Sequence, residues 1–128
     1  MIPQERKYTK DHEWVLIDGD TATVGITDYA QHSLGDIVFV ELPAVGDTIE
    51  AGGRLAVVES VKAASDVFSA VAGEVVEVNE ALEDAPEKLN EEPWDAFIAK
   101  LRIAPQGVEG LLDATAYAAL VAEEEAKE

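Results

Sequence analysis

One lysine marks the segment with the clearest capacity for chemistry. Lys62 lies in Glu59-Ser-Val-Lys-Ala-Ala-Ser-Asp66, with an acid at each end and small residues around it, in a chain of nine basic and 27 acidic residues. Apolar runs flank the segment, LAVV before and VFSAV after. Residue type alone leaves three readings of Lys62 open. It can be an ordinary solvated turn lysine. It can form a Schiff base, which calls for burial or a cationic neighbour, but the nearest charges, Glu59 and Asp66, have the wrong sign. It can also be an attachment point, which needs an exposed, rigid and unobstructed tip. The other residue types narrow the field further. The chain has no cysteine, which excludes disulfides, thiolate metal sites and cysteine nucleophiles, so any redox chemistry must come from a borrowed group. His12 and His32 have no metal-ligand spacing, and Gly52-Gly53 lacks the surrounding pattern of a phosphate loop. No nucleophile–base pair is visible, so an enzyme with its own active site is the weakest reading.

The elements that must position Lys62 read mainly as strands. EWVLIDGDTATVGI places two apolar runs around Asp-Gly-Asp, a hairpin signal because Gly and Asp tolerate turn dihedrals. Thr27 or Asp28 is a candidate N-cap for a short helix that Gly35 ends. DIVFVEL, RLAVVE, DVFSAV, GEVVEVN and FIAKLRIA read as further strands. LAVVES and DVFSAV then form a hairpin with VKAA at its tip. ALEDAPEKLNEEPWDAF reads as a turn-rich acidic connector. The Ala/Leu-rich segment from 110 to 126 is predicted to be a helix that covers a sheet, with Leu111, Leu112, Tyr117, Leu120 and Val121 on one stripe and a fraying EEEAKE end. Trp14, Trp94, Tyr8, Phe39 and Phe97 are assigned to core or edge packing.

A weak repeat runs through the strands. Gly35-Asp-Ile-Val-Phe-Val-Glu matches Gly73-Glu-Val-Val-Glu-Val-Asn 38 residues later, and a loop and a strand follow each copy. Two similar halves packed face to face are the expectation, with the crossover at residues 59–66. About seven strands with closely spaced turns point to a mainly antiparallel two-sheet or flattened-barrel fold.

Size and charge set the outer bounds. A chain of 128 residues with 48% hydrophobic content suits a single domain over 1–128. The net charge of −18 is spread evenly along the chain and repels nucleic acid and anionic membrane. It serves solubility, or steering toward basic patches on protein partners. The N-terminus MIPQERKYTKDHEWV has no signal-peptide core and no run approaches the ~20 apolar residues of a membrane span, so a cytoplasmic location is expected.

Taken with its surroundings, ESVKAASD resembles the lipoylation segment of the glycine cleavage system H-protein family. HEWV at 12–15, GIT-D-YAQ at 25–31, LGDIVFVELPAVGD at 34–47 and SAVAGEVVEVNEAL at 69–82 resemble that family in the same order, so the resemblance covers nearly the whole chain. It implies a flattened barrel-sandwich hybrid of two antiparallel sheets, similar to a lipoyl domain, with a short accessory helix, a C-terminal helix, and the lipoyl-lysine on a hairpin. Lys62 would carry lipoate in amide linkage, and Glu59 and Asp66 would position it for the lipoylating enzyme. Glu13, Asp28, His32 and Ser33 would line a surface cleft for the loaded arm, although the family often places a histidine directly before the leucine where this chain has Ser33-Leu34. The implied role is that of a non-catalytic carrier. It takes the aminomethyl group of glycine from the pyridoxal-phosphate P-protein (glycine decarboxylase) to the T-protein (aminomethyltransferase), and passes reducing equivalents to dihydrolipoyl dehydrogenase, the L-protein. Other swinging-arm carriers are the rivals. Biotin carriers usually have Met on both sides of the lysine, where this chain has Val61 and Ala63. Lipoyl domains of 2-oxo acid dehydrogenases are usually followed by Ala/Pro-rich linkers, and none is read here. A carrier for another lipoate relay, or an adaptor of the same shape that accepts no lipoate, completes the set.

Overall fold

The computed structural model describes residues 2–103 and 111–126. Two antiparallel sheets enclose the core. One has six strands in the order β1 (Lys7–Tyr8), β2 (Glu13–Asp18), β3 (Thr21–Ile26), β9 (Ala99–Ile103), β8 (Gly73–Val78) and β5 (Thr48–Ile49). The other has three, in the order β4 (Ile37–Glu41), β6 (Arg54–Ser60) and β7 (Ala64–Phe68). The architecture is thus the expected mainly β pair of antiparallel sheets with accessory helices, and it does not close into a barrel. Alternation explains why these segments are strands: in β3, Ala22, Val24 and Ile26 turn inward, and in β6 and β7 Val58 and Val67 do the same, as the two-residue period of a pleated chain requires. These side chains meet Ile37, Val75, Ile98 and Leu101 in one continuous core.

The internal repeat has a structural counterpart. β4 pairs with β6 and β8 pairs with β9, each antiparallel, and the two pairs lie in different sheets. The register slips between Ile37 and Phe39 in the first pair and between Val75 and Glu77 in the second. These positions coincide when Gly35 is aligned with Gly73. A bulge is a specific kink in one strand, so its recurrence at the same step supports the reading of two similar halves. The tip of the β6–β7 hairpin follows the first pair and precedes the second in sequence.

The helices differ from expectation in two places. α1 (Asp28–Leu34) is capped as expected: Ala30 N donates to Thr27 Oγ1 at 3.2 Å, and Gly35, at φ 81°, closes the C-terminus with its N–H on Gln31 O. The acidic connector, read as turns, contains two single-turn helices, α2 (Ala81–Asp84) and α3 (Lys88–Glu91). Each buries one leucine completely, Leu82 and Leu89. The C-terminal helix α4 runs over Ala114–Ala126, so Leu111 and Leu112 precede it and do not share its stripe. Leu112 instead bridges to Tyr8, with Tyr8 N on Leu112 O at 2.7 Å and Leu112 N on Tyr8 O at 2.8 Å. Asp113 then turns the chain into α4 by accepting the N–H of Ala116 at 2.8 Å, the geometry of an N-cap. The helix continues through Glu123–Glu125, so the expected fraying does not begin there; residues 110, 127 and 128 lie outside the described residues. α4 packs on the outer side of β1 and β2 through Tyr117, which stacks on Tyr8 with ring centroids 4.7 Å apart.

Candidate functional site

Lys62 occupies the tip of the β6–β7 hairpin, and Ser60 builds that tip. Ser60 N donates to Ala63 O at 2.8 Å, and its hydroxyl oxygen accepts from the N–H groups of Lys62 and Ala63, both at 3.2 Å. The turn is therefore held by backbone and side chain together, which removes freedom from the tip before any partner arrives. Val61 N donates to Asp36 O at 3.0 Å and fastens the tip to the chain just past α1. Val61, Lys62, Ala63 and Ala64 are all exposed.

The lysine side chain lies across Gly35. A Cβ built on Gly35 would fall 3.3 Å from Lys62 Cε and 3.7 Å from Nζ, so the glycine serves both the left-handed turn and the close approach of the side chain. Gly35 is in turn fixed by Asn90 of α3. Asn90 Nδ2 donates to Gly35 O and to Gln31 Oε1, both at 2.9 Å, while its Oδ1 accepts the N–H of Ile37 at 2.9 Å. One side chain thus joins the end of α1, the start of β4 and α3.

A cleft of about 220 Å³ opens beside this platform, between α1, the free edge of β7 and the end of α4. Ser33 and Leu34 of α1, Ser65 and Asp66 of β7, and the Asp11–Glu13 segment form its walls. Four carboxylates line it: Asp11, Glu13, Asp66 and Glu124. Glu13 is buried, and its two oxygens accept from Thr9 Oγ1 at 2.8 Å and from the N–H of Phe68 at 2.9 Å. The second bond ties the six-stranded sheet to the edge of the three-stranded one. Burial raises the Glu13 carboxyl to about 6, against the lowering effect of those two donors.

His12, beside Glu13, has a left-handed backbone at φ 68°, uncommon for a residue with a Cβ. Hydrogen bonds on both sides hold it there: His12 N donates to Thr9 O at 3.2 Å and Thr27 N donates to His12 O at 3.0 Å. The ring Nδ1 is 2.8 Å from the Tyr117 hydroxyl, which is 2.6 Å from Thr27 Oγ1, and Nε2 is 2.8 Å from Glu124 Oε2. Burial pushes the Tyr117 phenol well above its ordinary range, so it stays a neutral bridge. Through it the N-cap of α1, the His12 turn and α4 form one unit.

The structure brings some of the sequence candidates together and separates others. Glu13 and Ser33 share the cleft. Asp28 and His32 line a different cavity of about 160 Å³, with Trp94 and Tyr117. Helical geometry gives the reason: Asp28 and His32 are four residues apart and share a face, whereas Ser33 is turned a further 100°. Glu59 stands opposite Phe39 and Ala64 on the outer face of the three-stranded sheet. Asp66 is two residues farther from the tip than Ala64, 3.9 Å from Arg54, and also borders the cleft. Asp11, Asn90 and Glu124 join the site without belonging to any of the motifs read from the sequence. Asp11 adjoins the HEWV motif, which is its one local signal, but nothing local signals Asn90 or Glu124.

A family model described as glycine cleavage H-protein matches residues 6–124. The chain belongs to the glycine cleavage H-protein family. Curated relatives named glycine cleavage system H protein agree over nearly full length. That of Chromohalobacter salexigens is 57% identical over 127 residues, covering 97% of each chain. That of Thermus thermophilus is 56% identical over 118 residues, covering 91% of this chain and 92% of the relative. The crystal structure of the H protein from Mycobacterium marinum superposes with a TM-score of 0.88 at 40% identity, covering 94% of this chain and 99% of that one. Among the described residues no helix is long and apolar enough to cross a membrane.

Proposed function

We propose that Lys62 is the residue that bears lipoate in this lipoyl carrier of the glycine cleavage system, and that the adjoining acidic cleft holds the amine-bearing cargo between partners. The observation that carries the reading is the placement of Lys62: on a turn locked by Ser60, exposed, and lying over Gly35, whose neighbour Leu34 lines a cleft with four carboxylates. The residues fit the group, because Ala63 and Ala64 leave the amine open to an enzyme that would attach the arm. Lipoate in amide linkage supplies a dithiolane on a long arm, the thiol–disulfide chemistry that a cysteine-free chain lacks.

The chain's own residues then position and protect. Glu13 is pre-oriented by its two donors, so it meets a cation without reorganising. Asp11, Asp66 and Glu124 set a negative potential in the cleft, which favours a primary ammonium over neutral or anionic groups. Ser33 supplies a hydroxyl on the opposite wall. The protein is read as a carrier and co-substrate. Glycine decarboxylase, aminomethyltransferase, dihydrolipoyl dehydrogenase and a lipoylating enzyme are its partners, and tethering raises the local concentration of the arm at each of their sites. Glu59, next to the tip, and Asp66 are proposed to be read by the lipoylating enzyme. Lys62→Arg is the test: it keeps the charge and the fold, and a glycine cleavage assay reconstituted with it is expected to show no turnover. Retained turnover would refute the role of Lys62.

A further inference from the structure

The outer face of the three-stranded sheet carries an apolar patch beside the lysine. Five large hydrophobic residues are exposed among the described residues, and three of them, Val38 (54%), Phe39 (49%) and Val61 (67%), surround the tip. Val38 and Phe39 are consecutive. In a regular strand one of the pair would point into the core. The bulge between Ile37 and Phe39 breaks that alternation and leaves both outside. It also disrupts the free edge of β4 for strand addition, so this surface recognises through side chains. Phe39 lies opposite Glu59, and Val61 is bonded to the backbone of Asp36. Asp36, Glu41 and Glu59 are exposed and ring the apolar residues with negative charge.

We infer that Val38, Phe39 and Val61 form the docking surface for the enzyme that acylates Lys62, and that this enzyme presents an apolar depression rimmed by Lys and Arg around its active-site mouth. The inference rests on the assignment of Lys62 as the attachment residue. Two arguments select this occupant. The rim is acidic and the centre apolar, the pattern that a basic-rimmed apolar surface complements. The second argument is reach. In the attachment step the Lys62 ammonium first gives a proton to solvent, and the free amine attacks the carbonyl carbon of an activated lipoyl donor such as an acyl adenylate; the C–N bond forms, the nitrogen releases a second proton to solvent, and the nucleotide leaves with the electron pair of the broken C–O bond. That chemistry happens at Nζ itself, so the enzyme must close on the tip within one lysine side chain's length. Enzymes that act on the distal dithiolane can engage from an arm's length away and have no comparable need of residues adjoining the turn.

The test uses the full-length unmodified protein with a lipoate–protein ligase, lipoate and ATP, following initial rates by intact mass. Val38→Ala/Phe39→Ala is expected to lower kcat/KM at least tenfold, mainly through KM. Val61→Ser, at the tip and outside both strands, is expected to do the same. Val45→Ala, an exposed apolar position beyond the far end of β4, is expected to stay within twofold of wild type. Once driven to full modification, the double variant is expected to be reduced by dihydrolipoyl dehydrogenase at the wild-type rate. Wild-type rates of lipoylation in both the double variant and Val61→Ser would overturn the inference, as would equal losses in the lipoylation and reduction assays. A wild-type protein that accepts no lipoate on Lys62 would remove the assignment of Lys62 itself, and the docking inference with it.

Discussion

Replacing Glu13 by Gln isolates the energetic effect of one buried carboxylate. The side chain is buried and its carboxyl is raised from 4.5 to about 6, with burial the main cause and the bonds from Phe68 N and Thr9 Oγ1 opposing it. A folded-state value above the unfolded one means that the native protein binds the proton more tightly. Its contribution to stability is therefore fully present below pH 4.5 and is lost as pH rises through about 6. A shift of about 1.5 units at 1.36 kcal/mol each gives about 2 kcal/mol lost to ionisation of this one group. Gln keeps an acceptor for Phe68 N and can still bond Thr9, but it has no charge to desolvate. Urea unfolding of wild type and Glu13→Gln from pH 4 to pH 8 is the assay. Titration of the other acids largely cancels in the difference between the two proteins. Relative to wild type, Glu13→Gln is expected to gain about 2 kcal/mol between pH 4 and pH 8, with the change centred between 4.5 and 6. A difference that does not vary with pH would refute the burial argument.

Further outcomes follow from the same geometry. Cargo release from the lipoylated protein should accelerate as pH falls through about 6, because neutral Glu13 no longer holds an ammonium; a bound ammonium lowers that carboxyl and moves the midpoint somewhat below 6, and release kinetics across pH would show it. Asn90→Ala removes three hydrogen bonds at the Gly35 platform and should cost about 2–3 kcal/mol at roughly 1 kcal/mol per bond, measured by urea unfolding, together with slower lipoylation of Lys62. Tyr117→Phe keeps the stack on Tyr8 but leaves Thr27 and His12 without their bridge. It should cost about 1–3 kcal/mol and lower hydrogen-exchange protection in α4 more than in the sheets.

The parts of the fold that were legible in the sequence are those with local causes. β-branched runs on both sides of small residues made ESVKAASD a hairpin tip, and Thr27 and Gly35 announced the ends of α1 through capping chemistry. The repeat was visible as a spacing, but its strongest mark, the shared bulge, depends on strand pairing and leaves no sequence trace. α2 and α3 were missed because a single turn has no period to detect and the prolines and acids around it read as breakers. Leu111 and Leu112 looked helical beside an Ala-rich segment; Asp113, as an N-cap, was the overlooked signal. At the site, the exposure of Lys62 follows from its small neighbours, whereas its reading as an attachment point rests on the family resemblance and not on residue type. The cleft was only half legible. Glu13 and Ser33 belong to it, while Asp28 and His32 turn to the other side of α1, and Glu124 reaches it from more than a hundred residues away through the bridge of Tyr117 and His12.

Lys62, one of six lysines in the chain, is proposed to bear the arm. Intact mass followed by peptide mapping, on protein co-produced with a lipoylating enzyme, tests it most directly. A single lipoyl increment confined to the peptide containing Lys62 is the expected result. No increment, or an increment on any other lysine, would contradict the account.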